Sequence, residues 1–463
     1  MTSNAPLLLE YSIGALPWPW ARAWALRVSR HDLFRRILSG TAWSLMSNGV
    51  TQAVGLVAGV ACARYLGRSQ YGQLGVILST ANLFTTLGAA GLGVTATKHV
   101  AELRRSDPER AGRIIGMTRA TAIVAGLAFS AAFLVLSGWL SRTVLRAPEL
   151  TGLLRVSAGI LFFTSLNAYQ AGALAGFEAF KPLAAANLIR GASVPLLVIG
   201  AAYWGLPGAV LANIAVAITS CVANEAMLRR ECARHHIRID IRPTFEELRI
   251  LYRFSLPVLL ATVSSTPAIW LSTAAVARTS GFAEVGIFNA AMQWQSAILF
   301  LTSAVSAIGL PMLSGVVAER NLPRFKRVMG LSFALTTGSA LLAAIPICLA
   351  APWIMRAYGH GFAAGSKVLI VVAASTVLTA MSITVGHAIW SLNAPVAGVV
   401  FALLRGCLLV SSAFALAKFG ALGLAEANLI TMVIQTVAVI PYMGHLIRKQ
   451  AWVCSNTPVP LSS

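Results

Sequence analysis

Apolar runs of about 23 residues recur along this chain with only short interruptions, and that is the length an α-helix needs to cross roughly 30 Å of hydrocarbon. Charge is scarce enough to match: 11% of residues are charged and 57% hydrophobic, where a soluble chain carries about 25% charged residues. No soluble surface can be assembled from such a composition. Apolar runs of this length, broken by charged or Gly/Pro clusters, read as membrane-spanning helices. The expectation is an all-α integral membrane protein with twelve spans near 41–63, 73–96, 117–140, 152–175, 183–204, 206–228, 251–276, 285–313, 328–351, 366–390, 395–417 and 421–446. What remains between spans is too short to bury a soluble catalytic core, so an enzyme is not expected.

The net charge of +21 comes from 36 Lys and Arg scattered through short connections, which does not make a nucleic-acid face. Sidedness accounts for it better. With the N-terminus inside, 25 basic residues fall in or beside cytoplasmic segments and nine on the other side, while Arg190 and Arg405 lie within spans. That bias predicts both termini in the cytoplasm. Residues 1–40 carry Trp18, Trp20, Trp24 and five arginines without a secretory core, as an uncleaved interfacial segment on anionic lipid would. The six cysteines have no metal-ligand spacing, and neither a metal nor a cofactor is expected.

Compared with itself, the chain repeats. At a shift of 214 residues, Arg64, Gly67 and Gly72 fall on Arg278, Gly281 and Gly286. At 215, Leu188, Arg190 and Gly191 fall on Leu403, Arg405 and Gly406, and Gly205, Gly208, Ala212 and Asn213 on Gly420, Gly423, Ala427 and Asn428. Two six-helix lobes of equal orientation follow, related by a pseudo-two-fold axis along the membrane normal. The expected division is an interfacial segment 1–40, an N-lobe 41–228, a cytoplasmic linker 229–250, a C-lobe 251–446 and a cytoplasmic tail 447–463.

Polar positions repeat as well. Asn48, Thr51 and Gln52 in the first span correspond to Thr262, Ser265 and Thr266 in the seventh, and Ser79 and Asn82 in the second to Gln293 and Ser296 in the eighth. Spacings of three and four put them on single helix faces. Polar groups in hydrocarbon need water or partners, so these spans are expected to wall a wet cleft between the lobes. The competing reading is that the same groups join helix to helix.

The run from Arg64 through Tyr65, Leu66, Gly67, Arg68, Ser69, Gln70 and Tyr71 to Gly72, a glycine-rich polar helix to Gly93 and a basic segment from Lys98 resemble the Wzx-type polysaccharide flippases. Their superfamily also holds the multidrug and toxin extrusion (MATE) transporters and the lipid II flippases. The resemblance covers about residues 35–447 and includes the Gly-x-x-Gly-x-x-x-Ala-Asn segments that open spans six and twelve. It implies a MATE-like transporter that moves polyprenyl-pyrophosphate-linked oligosaccharide across the inner membrane by alternating access, for exopolysaccharide or O-antigen synthesis. Implied partners are that substrate, membrane lipids and a glycan polymerase with other assembly proteins, and no nucleic acid. The chain departs from lipid II flippases, which usually have fourteen spans. It also lacks the acidic residue that drug extruders commonly carry deep in their first helices.

Arg190 and Arg405 are the most informative single residues, because a guanidinium at helix centre costs about 2.5–3.5 kcal/mol on insertion scales. Each needs an anion, a polar partner or water, and a guanidinium fork suits a phosphate. Arg64 and Arg278 close spans one and seven on the outer side, where they either snorkel to headgroups or meet phosphate on release. Trp294, flanked by Gln293 and Gln295, offers an indole for a sugar ring beside amides for its hydroxyls, or simple packing. The candidate cleft is therefore Arg190, Arg405, Arg64, Arg278, Asn48, Gln52, Ser79, Asn82, Thr262, Gln293 and Trp294. Glu426, at the start of span twelve, is expected beside the helix N-terminal dipole, and Glu225 is expected to pair with Arg229 at i+4. No nucleotide-binding or HExxH motif occurs, which argues against an autonomous ATP-driven pump. Two other functions stay in view: a cation-coupled drug extruder and a membrane-embedded glycan polymerase or ligase.

Overall fold

The computed structural model describes residues 32–89, 91–240, 266–319, 322–392 and 395–455. Among them are the helices α1 Asp32–Ala89, α2 Leu92–Leu103, α3 Pro108–Trp139, α4 Thr151–Gly176, α5 Phe180–Ser193, α6 Pro195–Arg234, α7 Thr266–Ser280, α8 Phe282–Ala318, α9 Leu322–Leu349, α10 Ala351–Ala357, α11 Ser366–Ser391, α12 Pro395–Leu416 and α13 Gly420–Ser455, and no strand. Helices cover the described part of every expected span. Among the described residues, seven continuous apolar stretches are long enough to cross a membrane, and three of them, Met46–Leu103, Phe180–Arg234 and Ala397–Arg448, hold two expected spans each. The protein is thus a multi-pass, all-helical membrane protein, consistent with twelve spans. Most of the expected interfacial segment, residues 241–265 around the expected lobe junction, and the end of the tail lie outside the described residues.

In Met46–Leu103 and Phe180–Arg234 the paired spans run together because their connection is a single residue. Gly67 breaks α1 at φ 68°, ψ 172°, and Gly205 breaks α6 at φ 59°, ψ −140°. A side chain strains in that left-handed region, so glycine turns the chain with no intervening loop. Gly281 (φ 88°, ψ 167°) precedes α8, and Gly420 (φ 64°, ψ −136°) opens α13. These are the partners of Gly67 and Gly205 at shifts of 214 and 215. The repeat read from the sequence is therefore repeated in the backbone angles.

All four glycines sit at one end of the bundle, here the glycine end; the connections rich in Arg and Lys sit at the other, the basic end. Buried apolar residues divide in a way that matters for function. At the glycine end one continuous cluster draws on both lobes, including Leu66, Tyr71 and Leu74 from the N-lobe and Trp270, Phe288, Tyr358 and Phe362 from the C-lobe. At the basic end the core is split. One cluster, with Ile115, Tyr169 and Leu228, belongs wholly to the N-lobe. A second, with Leu313, Phe325 and Met443, belongs wholly to the C-lobe. Since burial of apolar surface holds such elements together at about 25 cal/mol per Å², the described residues join the lobes at one end and form separate clusters at the other.

Candidate functional site

The joint at the glycine end is built from backbone laid on backbone. Gly72 in α1 lies against the Phe282 carbonyl and the Gly286 amide, and Gly286 lies against the Arg68 carbonyl. Gly72 and Gly286 are repeat partners, so the pseudo-two-fold axis passes between them. Helices approach this closely only where both lack a Cβ. Around this contact, Tyr71 meets Phe362 edge-on at 6.1 Å between ring centroids, and Phe362 lies 5.7 Å from Tyr358. The Arg64 Nε–H donates to the Ala357 carbonyl, across the lobes. Deeper, the Trp270 indole N–H donates to Thr80 Oγ1 at 2.9 Å, and the Tyr358 hydroxyl donates to Gln293 Oε1 at 2.8 Å, with the Gln293 amide packed onto Gly59. Together these close the glycine end.

This seal is not optimised for permanence. Asn289 presses its amide onto Gly75, the position equivalent to itself in the other lobe, and its Nδ2 has no hydrogen-bond partner among the described residues. A buried amide without a partner costs roughly 1–3 kcal/mol that water would return on opening. Such a defect suits an interface that separates.

Away from the seal the same helices turn polar side chains outward. Asn48, Asn82, Ser296 and Ser303 are exposed, at about 22–33 Å from the glycine end counted at 1.5 Å per residue. Gly49 rests against the Phe300 ring, so α1 and α8 stay together to about that depth. On the N-lobe side α5 adds a polar group that the sequence did not single out. Asn187 Nδ2 donates to Asn48 Oδ1 at 3.2 Å, and the Asn187 carbonyl accepts from Thr51 Oγ1 at 3.1 Å. The signal was present: Asn187 stands three and four residues before Arg190 and Gly191, on one helix face, and Gly191 packs on Thr51. Arg190 is exposed on the flank of this cluster.

The remaining sequence-selected residues distribute as follows. Gln52 and Ser79 are half-buried, and the Ser79 hydroxyl donates back to the Val76 carbonyl at 3.0 Å. Trp294 is half-buried and packs on the core shared by both lobes. Thr262 lies outside the described residues. Arg278 is exposed at the end of α7, whereas its repeat partner Arg64 is engaged in the seal. Arg405 points into a cavity of about 160 Å³ inside the C-lobe, which none of the other three arginines lines. The four arginines are therefore not gathered in one place.

Of the two carboxylates that the sequence placed in or near spans, Glu225 acquires defined partners. Glu225 pairs with Arg229 at 2.8 Å as expected, and also with Arg119 at 3.4 Å, while Tyr169 and Gln170 donate to its Oε2 at 3.2 and 3.1 Å. The dipole position at the start of α13 goes to Glu284, whose Oε2 accepts the Ala421 amide at 2.9 Å, rather than to Glu426. Glu284 sits against Gly420 as Gln70, its partner at a shift of 214, sits beside Gly205.

Residues 37–317 match the family model described as polysaccharide biosynthesis protein. The chain is 29% identical over 231 residues to the EPS I polysaccharide export inner membrane protein EpsE of Ralstonia solanacearum, a match that covers 48% of this chain and 52% of that protein. It is 30% identical over 138 residues to the protein of the same name in Ralstonia nicotianae, covering 28% and 30%. The chain thus spans about half the length, or less, of the curated relatives it matches. Among solved structures, an inward-facing multidrug resistance MATE transporter superposes with a TM-score of 0.73 at 16% identity, over 86% of this chain and 96% of that one. The lipid II flippase MurJ in an inward closed conformation superposes at 0.69 and 13% identity, over 89% and 93%. Both likenesses are of fold.

Proposed function

The chain belongs to the polysaccharide biosynthesis protein family, and from that premise we propose that it is a flippase carrying polyprenyl-pyrophosphate-linked oligosaccharide across the bacterial inner membrane. The observation that carries this reading is the division of the core, shared by both lobes at the glycine end and separate at the basic end. In this reading the basic end faces the cytoplasm, following the distribution of Lys and Arg, and both termini lie there. The cleft between the lobes then opens toward the side on which lipid-linked precursors are made.

Each part of the site has a task. The apolar faces of the open cleft border lipid, so a polyprenyl chain stays in hydrocarbon while the headgroup enters. Arg190 meets the pyrophosphate, a concentrated negative charge, with Asn187 and Asn48 beside it to bond oxygens. At an effective dielectric of about 20 a unit charge pair 4 Å apart is worth about 4 kcal/mol before desolvation. Asn82, Ser296 and Ser303 supply bonding for sugar hydroxyls. Rocking the lobes would break the Arg64–Ala357 and Trp270–Thr80 bonds and the Tyr71–Phe362 contact, opening the glycine end for release. Transport in this form makes and breaks no covalent bond, so no enzyme activity is assigned. The EpsE likeness supports an exopolysaccharide as the end product, with a polymerase as the next partner outside.

The test is export in cells lacking the native gene. Wild-type protein should restore surface polysaccharide. Arg190→Gln should restore no more than about a tenth of it at equal membrane abundance, and Arg190→Lys should recover part, because charge returns without the fork. Full export by Arg190→Gln would remove Arg190 from the substrate path.

A further inference from the structure

Repeat symmetry makes Arg405 the counterpart of Arg190, yet their surroundings differ. Arg190 is exposed, whereas Arg405 is partly buried and faces a half-open pocket within the C-lobe. That pocket is walled by α7, α8, α11, α12 and α13. Its polar lining is Ser272, Thr273, Gln295, Thr379, Asn428 and Thr431, and no acidic residue is among the lining groups. Most of these groups have already spent their protons. Thr273 donates to the Ile269 carbonyl, Thr379 to that of Ser375, Thr431 to that of Ala427, and the Asn428 amide to Ser375 Oγ. Arg405 itself makes no hydrogen bond or ion pair with any described residue. A guanidinium with five donors, a cavity in front of it and no carboxylate within the walls is a positive charge awaiting a counter-ion.

We propose that this C-lobe cavity binds one small monovalent anion of the chloride class between Arg405 and the Gln295 amide, apart from the substrate path. The reading of the protein as a transporter is its setting, but the binding stands on the cavity alone. Charge sets the valence: a single guanidinium neutralises one negative charge, and a phosphate dianion would leave an excess charge in hydrocarbon. Volume sets the size. About 160 Å³ takes an anion with a few waters and excludes a pyrophosphate bearing sugars. Position gives the ion a consequence. On α8 the residues Gly286, Asn289, Gln293 and Phe300 face α1, while Phe288, Met292, Gln295 and Leu299 line the cavity, so one helix joins the lobe contact to the ion.

The experiment uses the purified full chain without lipid-linked substrate. Thermal unfolding is followed while sodium gluconate is replaced by sodium chloride, nitrate or phosphate at constant ionic strength. A saturable rise in midpoint with chloride and nitrate is expected, with phosphate weaker. Arg405→Gln should lose the saturable response, and Arg405→Lys should weaken it about tenfold. Gln295→Ala, a change at the wall that keeps the arginine, should weaken it severalfold and decides the matter if Arg405→Gln does not fold. An identical chloride response in Arg405→Gln and wild type, or in Gln295→Ala if that variant must decide, would overturn the proposal, as would no saturable response to any small anion. Displacement of bound chloride by a polyprenyl phosphate in micelles would also overturn it, because Arg405 would then belong to the substrate path. None of these outcomes depends on whether oligosaccharide is flipped. A failed flippase assay with an intact chloride response counts against the function alone.

Discussion

Adding one methyl group where the lobes touch should unbalance the transport cycle. A Cβ at position 286 would fall within van der Waals contact of the Arg68 carbonyl and press on the Gly72 amide, both backbone atoms that cannot rotate away. Overpacking of a tight site costs about 1–3 kcal/mol. The cost is incurred only while the glycine end is closed, so it tilts the equilibrium between closed and open states rather than simply destabilising the fold. At 2 kcal/mol the ratio shifts about 30-fold, since each 1.4 kcal/mol is about tenfold; a 10:1 preference for closure would become about 1:3. Spin labels at Arg142 in the N-lobe and Lys418 in the C-lobe, both exposed at the glycine end, report the separation by double electron–electron resonance. Gly286→Ala should enlarge a long-distance population. Gly315→Ala, on the same helix with nothing near the added methyl, should not. An unchanged distribution in folded Gly286→Ala, or an equal change in Gly315→Ala, would refute the idea that this contact is the gate.

The cap on α13 is expected to behave as a helix cap does. Glu284→Ala should cost about 1–2 kcal/mol in denaturant unfolding, and Glu284→Gln less than half of that, because an amide oxygen still accepts the Ala421 N–H and a Gln fills the equivalent place in the N-lobe; equal losses would contradict it. Cysteines placed at Asn48, Asn82 and Ser296 in a Cys-free background should react with a membrane-impermeant maleimide. A cysteine at Thr80, buried under Trp270, should stay inert, and uniform inertness at the first three would mean that these groups only join helices.

Much of the fold could be read in the sequence because its signals are local. Span length follows from the bilayer, and a left-handed connection leaves a glycine that recurs at the same register in each lobe. The site was less legible, since it depends on what each lobe places opposite the other. Nothing in a one-dimensional comparison says that Gly72 will lie on Gly286, or that Arg64 reaches across to Ala357 while Arg278 stays free of the seal. Arg190 and Arg405 show the limit most clearly. Their flanking motifs match residue for residue, yet one is exposed and the other lines a pocket, a difference made by α7, α8 and α13 packing around the second. Glu284 was passed over for Glu426 because chain proximity to a helix start says little about which side chain folds back over it.

The most direct measurement of the central claim is flipping in purified form. Vesicles are made with a fluorescent polyprenyl-pyrophosphate-linked oligosaccharide in both leaflets, with and without the protein, and the outer-leaflet label is destroyed by an impermeant reductant. Wild-type protein should let essentially all of the label become accessible within minutes, and Arg190→Gln should slow that at least tenfold. Protection of half of the label in protein-containing vesicles, as in protein-free ones, would contradict the assignment.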